Sequence, residues 1–134
     1  LNDIQRGIEE SAELVAWISS DMIGHGYATE AVEHASRYAL AAKPRGLGLQ
    51  LVYALIAPRN SAFIRVSERS GFAEESHMPM IELRVGAQWR SHSLFVREAA
   101  TVASPVREAA KVVVRRLMMS STMREARSPS ATLQ

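Results

Sequence analysis

Hydrophobic and polar positions along this chain fall into short apolar runs separated by helical stripes. Glu13 to Ile18 reads Glu-Leu-Val-Ala-Trp-Ile, an apolar run suited to a strand buried on both faces. Ser19 to Gly26 is polar and carries glycine, which predicts a loop. From Tyr27 to Ala42 the positions Ala28, Ala31, Val32, Ala35, Ala39 and Leu40 recur at helical spacing on a strong helix-forming background. Pro44, Gly46 and Gly48 stop that helix. Leu49 to Ala57 has the length and composition of a second strand, ended by Pro58. Asn60 or Ser61 can cap a short helix over Ala62–Ser70, with Gly71 as its stop. Residues 80–86 and 91–97 read as two strands, joined by a hairpin turn at Gly86–Arg90. The first ten residues show no clear period. The order β-α-β-α-β-β predicts an α/β domain on a mixed sheet.

After Glu98 the pattern changes. Residues 105–127 predict a further helix with Val106, Ala110, Val113 and Leu117 on one face, and Ser128–Gln134 a polar, disordered end. The expected organisation is a domain over residues 1–98 and a basic extension over 99–134, helical about 105–127. A chain of 134 residues is one domain's worth and can bury one core. With 47% hydrophobic and 22% charged residues, wholesale disorder is excluded. The absence of cysteine excludes a disulfide framework, a thiolate metal site and a cysteine nucleophile. Four scattered histidines without a His-x-x-x-His pair give no expectation of a metal site. No apolar run approaches the roughly 18 residues that span a bilayer, so a soluble, cytoplasmic protein without a membrane partner is expected.

Net charge is only +2, but it is unevenly spread. Residues 1–35 carry seven acidic groups and one Arg, whereas residues 99–134 carry six basic groups and two acidic ones. A solvated basic surface accounts for this. So does an anion-binding face for phosphates or nucleic acid.

The chemistry concentrates at two places. The first is Ile23-Gly24-His25-Gly26-Tyr27-Ala28-Thr29-Glu30-Ala31, placed between a strand and a helix. Two glycines let the backbone approach a ligand closely, and the free N–H groups and positive dipole end of the helix suit a phosphate. A dinucleotide fingerprint would need a third glycine where Thr29 stands, and the Gly-Lys-Ser/Thr of a P-loop is absent. The second is Asn60-Ser61-Ala62-Phe63 through Ser67 to Gly71-Phe72.

Together these motifs resemble the GNAT superfamily of acetyl-CoA-dependent N-acetyltransferases. The likeness is nearest to the branch acetylating ribosomal-protein N-termini, which shows a glutamate-bearing strand, Gly-x-Gly-Tyr-Ala-Thr-Glu-Ala, a strand, then Asn and a helix closing with Gly-Phe. It covers about residues 10–98. The resemblance implies that main-chain N–H groups around Ile23, Gly24, His25, Gly26, Tyr27 and Ala28 cradle the CoA diphosphate, and that Asn60 bonds the pantetheine arm or the thioester region. It implies main-chain donors to the acetyl carbonyl from the strand around Val15 to Ile18, a general base at Glu13, and a proton donor at Ser67. The chemistry needs such parts, because an ammonium cannot attack a thioester until a carboxylate takes its proton.

The implied fold is a GNAT-like mixed sheet lacking the usual N-terminal strand and helices, with an extra C-terminal helix. The chain departs from the family pattern at Asp21, Phe63 and Ser91 and in its short N-terminal region. Three explanations stay open: a fragment, completion by another subunit, or replacement of the missing layer by residues 105–127. An uncovered edge and apolar face would favour a homo-oligomer.

The expected function is acetyl transfer from acetyl-CoA to a primary amine, on a peptide or protein N-terminus or a small molecule. The alternative is a non-catalytic module binding acyl-CoA or a protein partner. An RNA- or ribosome-associated protein acting through the Arg-rich tail is a third reading. Plainer roles also stand: Glu13 as a solvated strand start, Asn60 as a helix cap, Ser67 as a surface helix residue, His25 and His34 as exposed residues, Trp17 and Trp89 as packing.

Overall fold

A computed structural model describes residues 1–7, 9–17, 19–100 and 106–120. In chain order the elements are β1 (Asn2–Gln5), β2 (Ser11–Glu13), α1 (Tyr27–Leu40), β3 (Leu51–Ile56), α2 (Ser61–Arg69), β4 (Ala73–Glu74), β5 (Ile81–Val85), β6 (Gln88–Glu98) and α3 (Val106–Ser120). The sheet runs β1-β2-β3-β6-β4, with β5 also paired to β6. Among the described residues, β2 and β3 pair in parallel and the other pairs are antiparallel. This is the expected mixed α/β sheet.

The two helices after β2 and β3 form where the apolar stripe predicts them. In α1 the stripe buries Val32, Ser36 and Ala39 against the sheet. The chain then doubles back so tightly that a Cβ on Gly46 would lie 2.2 Å from the Tyr38 carbonyl oxygen. Helix α2 starts at an Asn60 cap, whose Oδ1 accepts the Phe63 N–H at 3.2 Å. These helices cover one sheet face around Ala12, Leu14, Val52, Ala54 and Ile56.

The other face is covered by α3. Val113, Val114 and Leu117 pack on Leu51, Tyr53, Leu94 and Val96. Ala110, Val113 and Leu117 are buried as their spacing predicts. Arg116 is turned inward instead of joining a basic surface. Its guanidinium donates to Glu9 at 2.9–3.2 Å, to Asp3, and to the Tyr53 hydroxyl at 3.2 Å, while Tyr53 donates to Asp3 at 3.0 Å. The β1 register irregularity between Asn2 and Gln5 falls beside Asp3 and accompanies its turn toward this cluster. Residues 121–134, including Arg124, lie outside the described residues.

Four expectations change. The strand expected over Glu13–Ile18 is β2, which ends at Glu13. Its parallel pairing stops at Glu13–Tyr53 and a last bond from Leu14 N–H to the Tyr53 carbonyl at 2.7 Å, while β3 continues to Ile56 against β6. Residues 14–17 therefore peel away from β3, and Ile18 lies outside the described residues. The aperiodic start holds a short strand, β1, because it pairs with β2 whatever its own pattern. A two-residue strand, β4, follows α2 and was not predicted. Finally, β6 begins at Gln88, since Val85 pairs with Gln88 and leaves only Gly86 and Ala87 in the turn.

Candidate functional site

Where residues 14–17 leave β3, a cleft of about 510 Å³ opens on the α1/α2 face. Its walls are Ala16 and Trp17, the loop Met22 to Gly26, the first turn of α1, and α2 residues Ala62, Phe63, Arg65, Val66 and Arg69. Four apolar side chains at this opening, Trp17, Met22, Ile23 and Tyr27, are solvent-exposed. Trp17, at 68% exposure, is a cleft wall rather than a packing residue.

The glycine loop makes the cleft floor. Gly24 and Gly26 have φ of +86° and +79°, a conformation that favours glycine, and a Cβ built on either meets nothing within 4 Å. Both glycines line the cleft. The first α1 bond runs from Glu30 N–H to the Gly26 carbonyl at 3.1 Å, so the N–H groups of Tyr27, Ala28 and Thr29 have no partner within α1. Arg65 and Arg69, one turn apart on α2, add two guanidiniums to the opposite wall. Unpartnered donors, a helix dipole and two cations together suit a diphosphate. Asp21, which would repel phosphate if it pointed inward, is exposed and accepts from the Ser19 hydroxyl; that hydrogen bond holds its carboxyl below its ordinary pKa.

Ile23, Gly24, Gly26, Tyr27 and Ala28 all line this cleft. The exposed His25 ring is not on its wall and stacks on Tyr27, centroids 5.5 Å apart. Val15, Ala16 and Trp17 are not in a strand. Their N–H groups make no backbone bond among the described residues, leaving main-chain donors at the cleft edge.

Glu13 lies elsewhere. Ala12 and Leu14 face α1 and α2, so alternation puts Glu13, half-buried, on the α3 face beside its register partner Tyr53. Burial pushes the Tyr53 hydroxyl far above its ordinary pKa, and the Glu13 charge adds to this. Asn60 caps α2 and lines a second, smaller cavity, not the large cleft. Ser67, expected as a surface or proton-donating residue, is 1% exposed and absent from the cleft wall. Its hydroxyl has no hydrogen-bond partner among the described residues. The period of α2 turns Ser67 into the protein while presenting Ala62, Arg65, Val66 and Arg69 to the cleft. Sequence reading missed Arg65 and Arg69; their i, i+4 spacing on one face was the available signal. No group of carboxylates and histidines among the described residues could hold a metal ion. No described helix is long and apolar enough to cross a membrane.

A parallel strand pair that splays open beside a glycine-framed helix N-terminus, on a mixed sheet, defines an acetyltransferase-type domain. The chain belongs to the acetyltransferase (GNAT) domain family, whose model matches residues 1–73. Among curated proteins, none matches it in sequence. Solved structures share its fold. The spermidine N-acetyltransferase of Vibrio cholerae, in complex with CoA and spermine, is 24% identical with a TM-score of 0.57, over 69% of this chain and 52% of that one. A GNAT-family acetyltransferase from Bacillus anthracis is 20% identical with a TM-score of 0.58, over 71% and 54%. A dodecameric structure of the Vibrio enzyme gives 22% and 0.57, over 69% and 52%. The chain thus spans about half the length of these relatives. The likeness to the ribosomal-protein branch gains no support from them.

Proposed function

We propose that this chain is the cofactor-binding part of an N-acetyltransferase that moves acetyl from acetyl-CoA to a primary amine. The observation that carries it is the cleft at the α1 N-terminus, lined by the glycine loop, by the first turn of α1 with its free N–H groups, and by Arg65 and Arg69. Acetyl-CoA, when bound, supplies the activated thioester. The N–H groups around Gly24 to Ala28 and the two guanidiniums hold its diphosphate. Main-chain N–H groups of Ala16 and Trp17 stabilise charge developing on the acetyl oxygen.

The acceptor enters from the other face, through the gap where the chain leaves β3 after Glu13. There Glu13 takes the proton that the attacking amine must lose. Asn60 caps α2 and so holds the wall that carries Arg65 and Arg69 in place. Ser67 serves α2 packing rather than the proton path. The acceptor is a small amine or a peptide N-terminus. The spermidine N-acetyltransferases among the neighbours favour an aliphatic amine, and the dodecameric one favours a homo-oligomer.

Calorimetric titration with acetyl-CoA, followed by thiol release over an amine panel, tests this reading. Binding together with thiol release that Glu13→Gln abolishes is expected. Binding without release, indifferent to Glu13→Gln, replaces it with the non-catalytic acyl-CoA module. No binding at all removes both.

A further inference from the structure

Helix α3 does more than cover apolar residues. The alternation that turns Ala12 and Leu14 toward α1 and α2 turns Ser11 and Glu13 toward α3. On the flanking strands, Asn2 of β1 and Tyr53 of β3 are the register partners of Glu13. Tyr53 reaches across β2, because its hydroxyl donates to Asp3 of β1 at 3.0 Å. Arg116 closes this group from the α3 side. Its guanidinium donates to Asp3, to Glu9 and to the Tyr53 hydroxyl. Glu9 also accepts the Ser11 hydroxyl at 2.6 Å. Three carboxylates, Asp3, Glu9 and Glu13, therefore stand on one short stretch of the α3 face, with one guanidinium bonded among them.

Crowded carboxylates raise one another's pKa, and a protonated carboxylic acid cannot take a proton. An arginine keeps its charge in a protein. The other members of the group stay in fixed states near neutral pH. Burial raises the Asp3 pKa, but bonds from Arg116, Gln5 and Tyr53 hold it below its ordinary value. Burial pushes the Tyr53 hydroxyl far up, so it stays neutral, and that hydroxyl feels the charges of Glu13, Arg116 and Asp3 together. The remaining charged groups on the packed elements, Lys111 and Arg115 of α3 and Glu98 of β6, are solvent-exposed.

Ser11 and Glu13 are about 7 Å apart along β2, and Tyr53 crosses that strand. A unit charge lost from about 7–10 Å away, at an effective dielectric near 20 and beside a half-buried carboxylate, raises its midpoint by about half to one pH unit.

We infer that Arg116, supplied by the C-terminal helix, is a positioning residue for the transfer: its charge keeps Glu13 ionised and ready for the proton of the acceptor amine. The role of Glu13 as base rests on the acyl-transfer reading. The coupling of Arg116 to Glu13 does not.

Titration of the glutamate side-chain carbons by NMR in the full chain, with the Glu13 signal identified by Glu13→Gln, reads the coupling without turnover. The Glu13 midpoint is expected to rise by about half to one pH unit in Arg116→Gln, to stay in place in Arg116→Lys, and to fall in Asp3→Asn, which removes a like charge and keeps the guanidinium. Loosening of α3 alone would not move the two neutral variants in opposite directions. An unmoved midpoint in Arg116→Gln, or a rise in Asp3→Asn, overturns the inference. Should Arg116→Gln fail to fold, Asp3→Asn decides, and no fall there means no coupling.

The pH profile of kcat/KM for thiol release, with one acceptor throughout, gives the second readout. Its acid limb is expected to move to higher pH in Arg116→Gln and to return to the wild-type position in Arg116→Lys. A limb that stays in place while the midpoint moves overturns the role in transfer. Midpoints that move as expected in a chain that releases no thiol uphold the coupling and sink acyl transfer.

Discussion

Replacing Gly26 by alanine separates what the glycine loop does for the fold from what it does for a ligand. Gly26 sits at φ +79° and ψ 2° as the cap of α1, and its added Cβ would meet no protein atom within 4 Å. The fold therefore pays no steric penalty. It bears only the left-handed backbone strain of an L-residue, about 1–2 kcal/mol. For a domain of this size that lowers Tm by roughly 3–8 °C. The methyl projects into the space where a phosphate oxygen would meet the N–H groups of the first turn. Loss of one charge-assisted hydrogen bond is worth about 1.5–3 kcal/mol, or roughly 10- to 100-fold in acetyl-CoA affinity. Gly7→Ala is the control. Gly7 has φ +86°, equally open surroundings, and no place on the cleft wall. Thermal melting and calorimetry on both variants should show similar losses of Tm but weakened binding only for Gly26→Ala. Unchanged affinity in Gly26→Ala, or an equal loss in Gly7→Ala, would falsify the phosphate cradle.

Three further outcomes follow from the packing. Arg116→Ala strands Asp3 and Glu9 without their cation; with Arg116 25% and Glu9 12% exposed, the expected cost is about 2–3 kcal/mol by urea denaturation, below the fully buried limit. A change under about 0.5 kcal/mol would show that α3 is not anchored there. Burial alone would raise the Asp3 pKa, but bonds from Arg116, Gln5 and Tyr53 outweigh it and hold the value down. Asp3 therefore adds stability above its unfolded pKa of about 3.9, lost as pH falls through the lower folded value. Between about pH 4 and 2 the stability gap between wild type and Asp3→Asn should narrow, and a gap that widens there contradicts the assignment. Ser67→Ala removes a buried hydroxyl with no partner among the described residues, so melting should show no loss or a slight gain; a drop above about 1 kcal/mol would mean the hydroxyl is bonded in solution.

The local signals in this chain were strong where one element decides its own structure. The α1 stripe, the Asn60 cap and the Gly24/Gly26 pair are each specified within a few residues, because helix propensity, capping and left-handed backbone are short-range properties. Those signals placed the two helices, the two long strands and the glycine loop, and through them the cleft floor. Hydrophobic runs misled where apolarity served a different purpose. Val15 to Trp17 reads like a buried strand, yet Val15 is exposed and Ala16 and Trp17 border the cleft, because β3 gives its pairing edge to β2 only as far as Tyr53. β1 carries no periodic signature, since its pairing with β2 comes from an edge and not from a pattern.

What the residues alone determined was the two helices, the faces they bury and the glycine turn at the start of α1, all set by interactions within a few positions of each other. Tertiary structure alone decided three things. It put Glu13 and the glycine cleft on opposite faces of the sheet, turned Arg116 inward to Asp3 and Glu9, and gathered Arg59, Arg90 and His92 around one cavity. Each depends on strand register and long-range packing, where a shift of one residue exchanges the two faces.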